Sequence, residues 1–257
     1  ASTAFELKDG TFAASITGLG SVTATGVLVR YNSSATTAFA AQTLTVGSSY
    51  TFGQAIAANT IAFEVTGFSA TVSDFVTLSG SFGFKKSGSD IIAVGTGVSG
   101  SMTAGGSVSV SLTGAAFGLK ASSASTAFEL KDGAFAASIT GLGEITATSV
   151  LVRYTGATAV TAGTELTVGS TTYTFAQAIS ANTIAFEVTG FNATVSDFVT
   201  LSGNFGFKKS GSDIIAVGTG VSAAMTAGGS VSVSLTNASF GLKASSASTA
   251  FELKDGA

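Results

Sequence analysis

The strongest constraint on this chain is that it repeats itself. The decapeptide Ala1-Ser2-Thr3-Ala4-Phe5-Glu6-Leu7-Lys8-Asp9-Gly10 returns unchanged at 124–133 and again at 247–256, a period of 123 residues both times. The chain therefore holds a first unit at 1–123, a second at 124–246, and the start of a third at 247–257. Tandem units of one design bury their apolar faces against their neighbours, so such a chain is expected to fold as a row. Its length counts periods, and the chain reads as a window on a longer repetitive protein. Differences between units concentrate in 32–49 and the equivalent 155–172, where a small insertion is offset by a deletion.

Each unit divides again. Segments 3–31, 60–86 and 90–120 share one loose pattern: a short apolar strand, a glycine, a second strand, a small turn and a longer alternating strand. Residues 32–59 stand outside the pattern as an insertion, with Leu44-Thr45-Val46 and Tyr50-Thr51-Phe52 as the arms of a hairpin. Period-two alternation dominates elsewhere. Val108, Val110 and Leu112 fall on one face of a strand and serines on the other. Asp9-Gly10, Ser87-Gly88 and Gly105-Gly106 read as turns between such runs. A bulge is expected around Gly114, where alternation breaks. The best helical stretch is 52–59, about two turns long.

These features predict an all-β, elongated tandem-repeat architecture: a solenoid-like rod first, serial β-sandwiches as second choice. The absence of proline favours the rod. Proline and charge are common ways to protect sheet edges, so a chain poor in both is expected to pair its edges along its length. The 20 phenylalanines are expected to supply much of the core.

Composition narrows the chemistry. There is no histidine, cysteine or tryptophan, hence no imidazole base, thiol nucleophile, Cys/His zinc site or disulfide framework. The 11 basic and 14 acidic residues give a net charge of -3 without a basic run, which argues against nucleic acid as a partner. No stretch of 18 apolar residues marks a membrane helix. Acids are the only catalytic material; Glu6, Asp9, Glu64, Asp74 and Asp90 recur one period on and read as turn and surface residues. Phe5, Phe63 and Phe75 beside them read as core, not as sugar platforms. Calcium-binding nonapeptide and EF-hand patterns are absent. Lys85-Lys86 and Lys208-Lys209 read as solvated hairpin charge, with an isopeptide link as the sharper alternative. The sequons at Asn32, Asn192 and Asn237 are not shared between units and read as chance. No catalytic, cofactor-binding or metal residue, and no cofactor, is assigned.

The Phe-Gly-Phe-Lys, Phe-Gly-Leu-Lys and Leu-Lys-Asp-Gly motifs within Gly/Ser/Thr/Ala-rich units resemble tandem β-rich repeats of very large secreted bacterial surface proteins of adhesin type. The resemblance implies export to the cell surface or extracellular space and a structural role, not an enzyme: a filament, stalk or adhesin shaft. Its partners would be neighbouring repeats and other copies of itself, without membrane insertion of this segment. The competing expectation is a tandem β-sandwich module that binds glycan or protein through 32–49. An outer-membrane barrel fits less well, because barrels carry aromatic girdles and this chain has only 4 tyrosines and no tryptophan.

Overall fold

The computed structural model describes residues 2–18, 20–73, 75–196, 198–227 and 231–257. The first unit contributes β1 (Ala4–Ile16), β2 (Gly20–Asn32), the short β3 (Thr43–Val46) and β4 (Ser48–Thr51), then β5 (Thr60–Val72), β6 (Val76–Ser87), β7 (Asp90–Ala104) and β8 (Val108–Ala121). The second repeats the series as β9 (Thr126–Ile139), β10 (Gly143–Thr155), β11 (Glu165–Val168), β12 (Thr171–Thr174), β13 (Thr183–Val195), β14 (Val199–Ser210), β15 (Asp213–Ala227) and β16 (Val231–Ala244). A last strand, β17 (Thr249–Lys254), opens the third.

The fold is all-β. Thirteen strands form one antiparallel sheet in the order β1-β2-β5-β6-β7-β8-β9-β10-β13-β14-β15-β16-β17. It is not closed into a barrel, and it runs from one unit into the next without a seam: β8 pairs with β9 from Val108↔Ile139 to Ala121↔Thr126. This continuity matches the rod; among the described residues the small β11–β12 hairpin forms a second layer, while β3–β4 stands beyond β1.

The three segments of each unit are three hairpins of long strands. What reads in sequence as two short strands around a glycine is one strand with a bulge. Asp9-Gly10 lies inside β1, where the pairing with β2 slips on both sides of Gly10, so it is not a turn between strands. Asp9 has φ 61 and its counterpart Asp132 φ 65. A bulge and a turn both need one left-handed residue, and Asp tolerates that conformation. Gly114 obeys the same rule at φ 70; the second unit places Asn237 there at φ 53. Ser87-Gly88 and Gly105-Gly106 do close hairpins. Residues 52–59 are not helical. Ile56 is held in a bridge to Phe39 and Asn59 turns left-handed at φ 49, so tertiary pairing overrides a weak helical preference.

Residues directly opposite on paired strands share a face, which assigns the sheet's two sides. Glu64–Gly83–Val94–Gly118–Glu129 forms one cross-strand row over β5 to β9. The opposite side carries Phe63, Phe82, Phe84, Phe117 and Phe128, with Phe82 and Phe117 ring centroids 6.4 Å apart. Phe5, Phe63 and Phe75 are about half exposed on this chain, so they are not core residues. The fully buried large side chains include Tyr173, Phe175 and Val168 in and beside the second hairpin, and Ile56 in the first unit's insertion.

Candidate functional site

The most organised site is the seat in which one unit holds the next. The insertion of the second unit folds back as β11–β12 across β5, β6, β7 and β8 of the first. Alternation in Glu165-Leu166-Thr167-Val168 sends Leu166 and Val168 down onto the sheet, while Thr167 faces out and pairs with Thr172. Beneath them the row supplies small residues. A Cβ on Gly83 would meet Val168, and one on Gly118 would run into the Tyr173 ring. These glycines are depressions that the hairpin fills. Ala62, Val94, Ala127, Leu166, Val168 and Tyr173 belong to one buried cluster.

Both ends of the row are carboxylates. Glu64 accepts from the Ser170 N–H at 3.0 Å, the Ser170 hydroxyl at 2.8 Å and the Thr171 hydroxyl at 2.6 Å, all at the hairpin tip. Glu129, fully buried, accepts from Arg153 Nε at 2.6 Å and the Tyr173 hydroxyl at 2.7 Å near the hairpin base. Lys131 donates to the Thr174 carbonyl at 2.7 Å and sits 4.7 Å from the centre of the Tyr173 ring. Buried charge is tolerable here because each carboxylate is multiply hydrogen-bonded. Burial, then the hydrogen bond to Glu129 and the Glu129 charge, push the Tyr173 hydroxyl far above the usual tyrosine range, so it stays a donor.

The first unit builds the same base around its own hairpin. Glu6 accepts from Arg30 Nε at 2.6 Å, the Gly53 N–H at 3.1 Å and the Tyr50 hydroxyl at 3.2 Å; Lys8 donates to the Thr51 carbonyl at 2.8 Å. Burial opposes the charge on Glu6, but these donors and the Arg30 charge outweigh it and hold its carboxyl below the ordinary value. The tip differs. With no sheet on the far side of β1, Val46 is 91% exposed, against 1% for its equivalent Val168.

Glu6 and Glu64 are therefore buried anchors, not surface acids. Glutamate and aspartate in alternating strands look alike in sequence, and a donor 106 residues away leaves no local pattern. Asp90 is a hairpin-end residue 3.7 Å from Lys120, and Lys86 bonds the Gly88 carbonyl, both at the surface. Asp74 lies outside the described residues. Asn32 is buried and donates to the carbonyls of Thr37, Ile56 and Ala57, a structural role that a glycan would abolish. Among the described residues no three acidic groups gather at metal-binding distance, and no helix is long and apolar enough to cross a membrane. Comparison with protein-family models, curated proteins and solved structures found no match to this chain.

Proposed function

We propose that this chain is a structural segment, a shaft or spacer of an extracellular repetitive filament, stalk or giant adhesin. One observation carries the reading: the hairpin of the second unit roofs the first while the sheet runs unbroken between them. In the row, Glu64 and Val94 of the first unit meet the hairpin of the second, and Glu129 anchors the base of that hairpin. A contact of that kind resists pulling along the row and repeats with each added unit.

The second unit's equivalent of the variable segment 32–49 includes β11, an arm of the hairpin that grips the sheet. The burial of Leu166 and Val168 within that segment supports the structural reading over a free recognition loop. Electron microscopy of assembled material tests it. Each unit adds six strands to the sheet, and at about 4.8 Å per strand units should recur about every 29 Å along the rod. Beads that tumble separately, without this repeat, would contradict the proposal.

A further inference from the structure

We propose that the phenylalanine face of the sheet, turned away from the β11–β12 hairpin, packs against the same face of a second copy of this chain, so that two sheets share one dry interior. The cross-strand row Val65–Phe82–Gly95–Phe117–Leu130–Val152 passes from the first unit into the second without a polar side chain. On the other side of the sheet, Thr71, Thr77, Ser101 and Ser111 pair in a row of hydroxyls. Alternation has given the strands one wet side and one apolar side. Among the described residues nothing covers the apolar one: Phe63 and Phe84 are each 45% exposed. Their equivalents Phe186 and Phe207 are 45% and 44% exposed, so the bare face belongs to the unit itself. Strands added edge to edge would lengthen this face without covering it. A groove of about 520 Å³ lies in it, lined entirely by apolar side chains, Val27, Phe63, Phe68 and Leu78 among them.

The area is large enough for a stable pairing. Six strands per unit, about 12 residues long, present a face of about 1,150 Å² at about 4.8 Å per strand and about 3.3 Å per residue. Two facing units would bury about 2,300 Å², more than the about 1,600 Å² of a standard stable interface. Soluble monomers rarely expose apolar patches beyond a few hundred Å². The occupant must be uncharged, and it must repeat as the row repeats. A globular partner would meet one unit, whereas a second row of the same pitch and twist stays in step over every unit. Charge agrees with this. Among the described residues, the charged side chains at paired positions of this face are Lys86 and Lys209, both at the margin beside the Ser87↔Asp90 and Ser210↔Asp213 hairpin ends. A two-fold axis along the row lays that margin over the uncharged margin of the partner, which keeps the lysines apart. Pairing of like faces then closes at two sheets. The shaft reading does not depend on this: a single-sheet shaft would keep the repeat of about 29 Å and lack the pairing.

Sedimentation of two double variants tests it. Phe84→Asp with Phe207→Asp puts one charge into this face of each unit. Thr77→Asp with Thr200→Asp puts the same charges on exposed positions of the hydroxyl face. Wild type and the threonine variant should sediment as dimers at micromolar concentration. The phenylalanine variant should be a monomer with an unchanged circular dichroism spectrum, because Phe84 and Phe207 are half exposed in the single chain. Met102 and Met225, the chain's two methionines, pair with Val76 and Val199 on the same face and are each 39% exposed. They should resist hydrogen peroxide in wild type and oxidise readily in the phenylalanine variant; if that variant does not fold, wild type unfolded in urea supplies the reactive reference. A wild type that sediments as a monomer, a phenylalanine variant that dimerises as wild type does, or methionines as reactive in wild type as in the reference would overturn the proposal. So would a wild-type monomer that floats with phosphatidylcholine vesicles, which would assign the face to lipid.

Discussion

Gly118 and Gly241 occupy the same place in consecutive units, yet only Gly118 lies under a ring. Gly118→Val should therefore lift Tyr173 and destabilise the chain by about 1–3 kcal/mol, the usual cost of overpacking. Gly241→Val should stay within about 0.5 kcal/mol of wild type, as surface substitutions do. Urea denaturation of the two variants reads the difference. Tyr173→Phe leaves a fully buried carboxylate short of a donor, which should cost about 1–3 kcal/mol in the same assay. The tyrosines also set a pH limit. Tyr50 and Tyr173 are both raised from the ordinary value of 10.0, by burial first and then by Glu6 or Glu129. A raised tyrosine contributes stability that is complete below about pH 10 and is lost as pH climbs above it, because the unfolded chain ionises first. Glu6 acts at the other end. Its lowered carboxyl contributes stability above the ordinary glutamate value, lost as pH falls through the folded one. Thermal melts across pH should fall off on both flanks, with the alkaline loss following tyrosinate absorbance.

At the scale of elements, the two inserted hairpins are nearly one sequence in two environments. Leu166 is buried on the sheet and Leu44 about half exposed. Leu166→Ala should cost about 2–5 kcal/mol, the range for a buried leucine, whereas Leu44→Ala should cost far less. Melting curves of the two single variants check this directly. Much of this level was legible beforehand. Alternation located the long strands, and Leu44-Thr45-Val46 with Tyr50-Thr51-Phe52 located the hairpin. Asp9-Gly10 misled because a bulge and a turn draw on the same residue. The phenylalanines misled for a different reason. Hydrophobicity says that a residue prefers burial, but Phe63 and Phe84 lie on a sheet face that this chain does not cover. Where the hairpin lands was not legible at all, since Ser170 meets Glu64 across a whole unit and no local period encodes that distance.

Over the whole molecule, the exact period predicted a row, and the sheet continues from β8 into β9 as a row requires. Continuity has an energetic consequence. A unit whose roof belongs to its neighbour cannot unfold alone without stripping that neighbour's hairpin. Urea unfolding followed by near- and far-ultraviolet signals should therefore give one coincident transition, as a two-state system does. Two separated transitions would mean that the units are independent.

The central claim, that each inserted hairpin roofs the preceding unit, is tested most directly by hydrogen exchange on this chain. Amides of β11–β12 should exchange slowly, because the hairpin is seated on β5–β8, while those of β3–β4 should exchange at least tenfold faster, about 1.4 kcal/mol less protected. Equal protection of the two hairpins, in either direction, would contradict it.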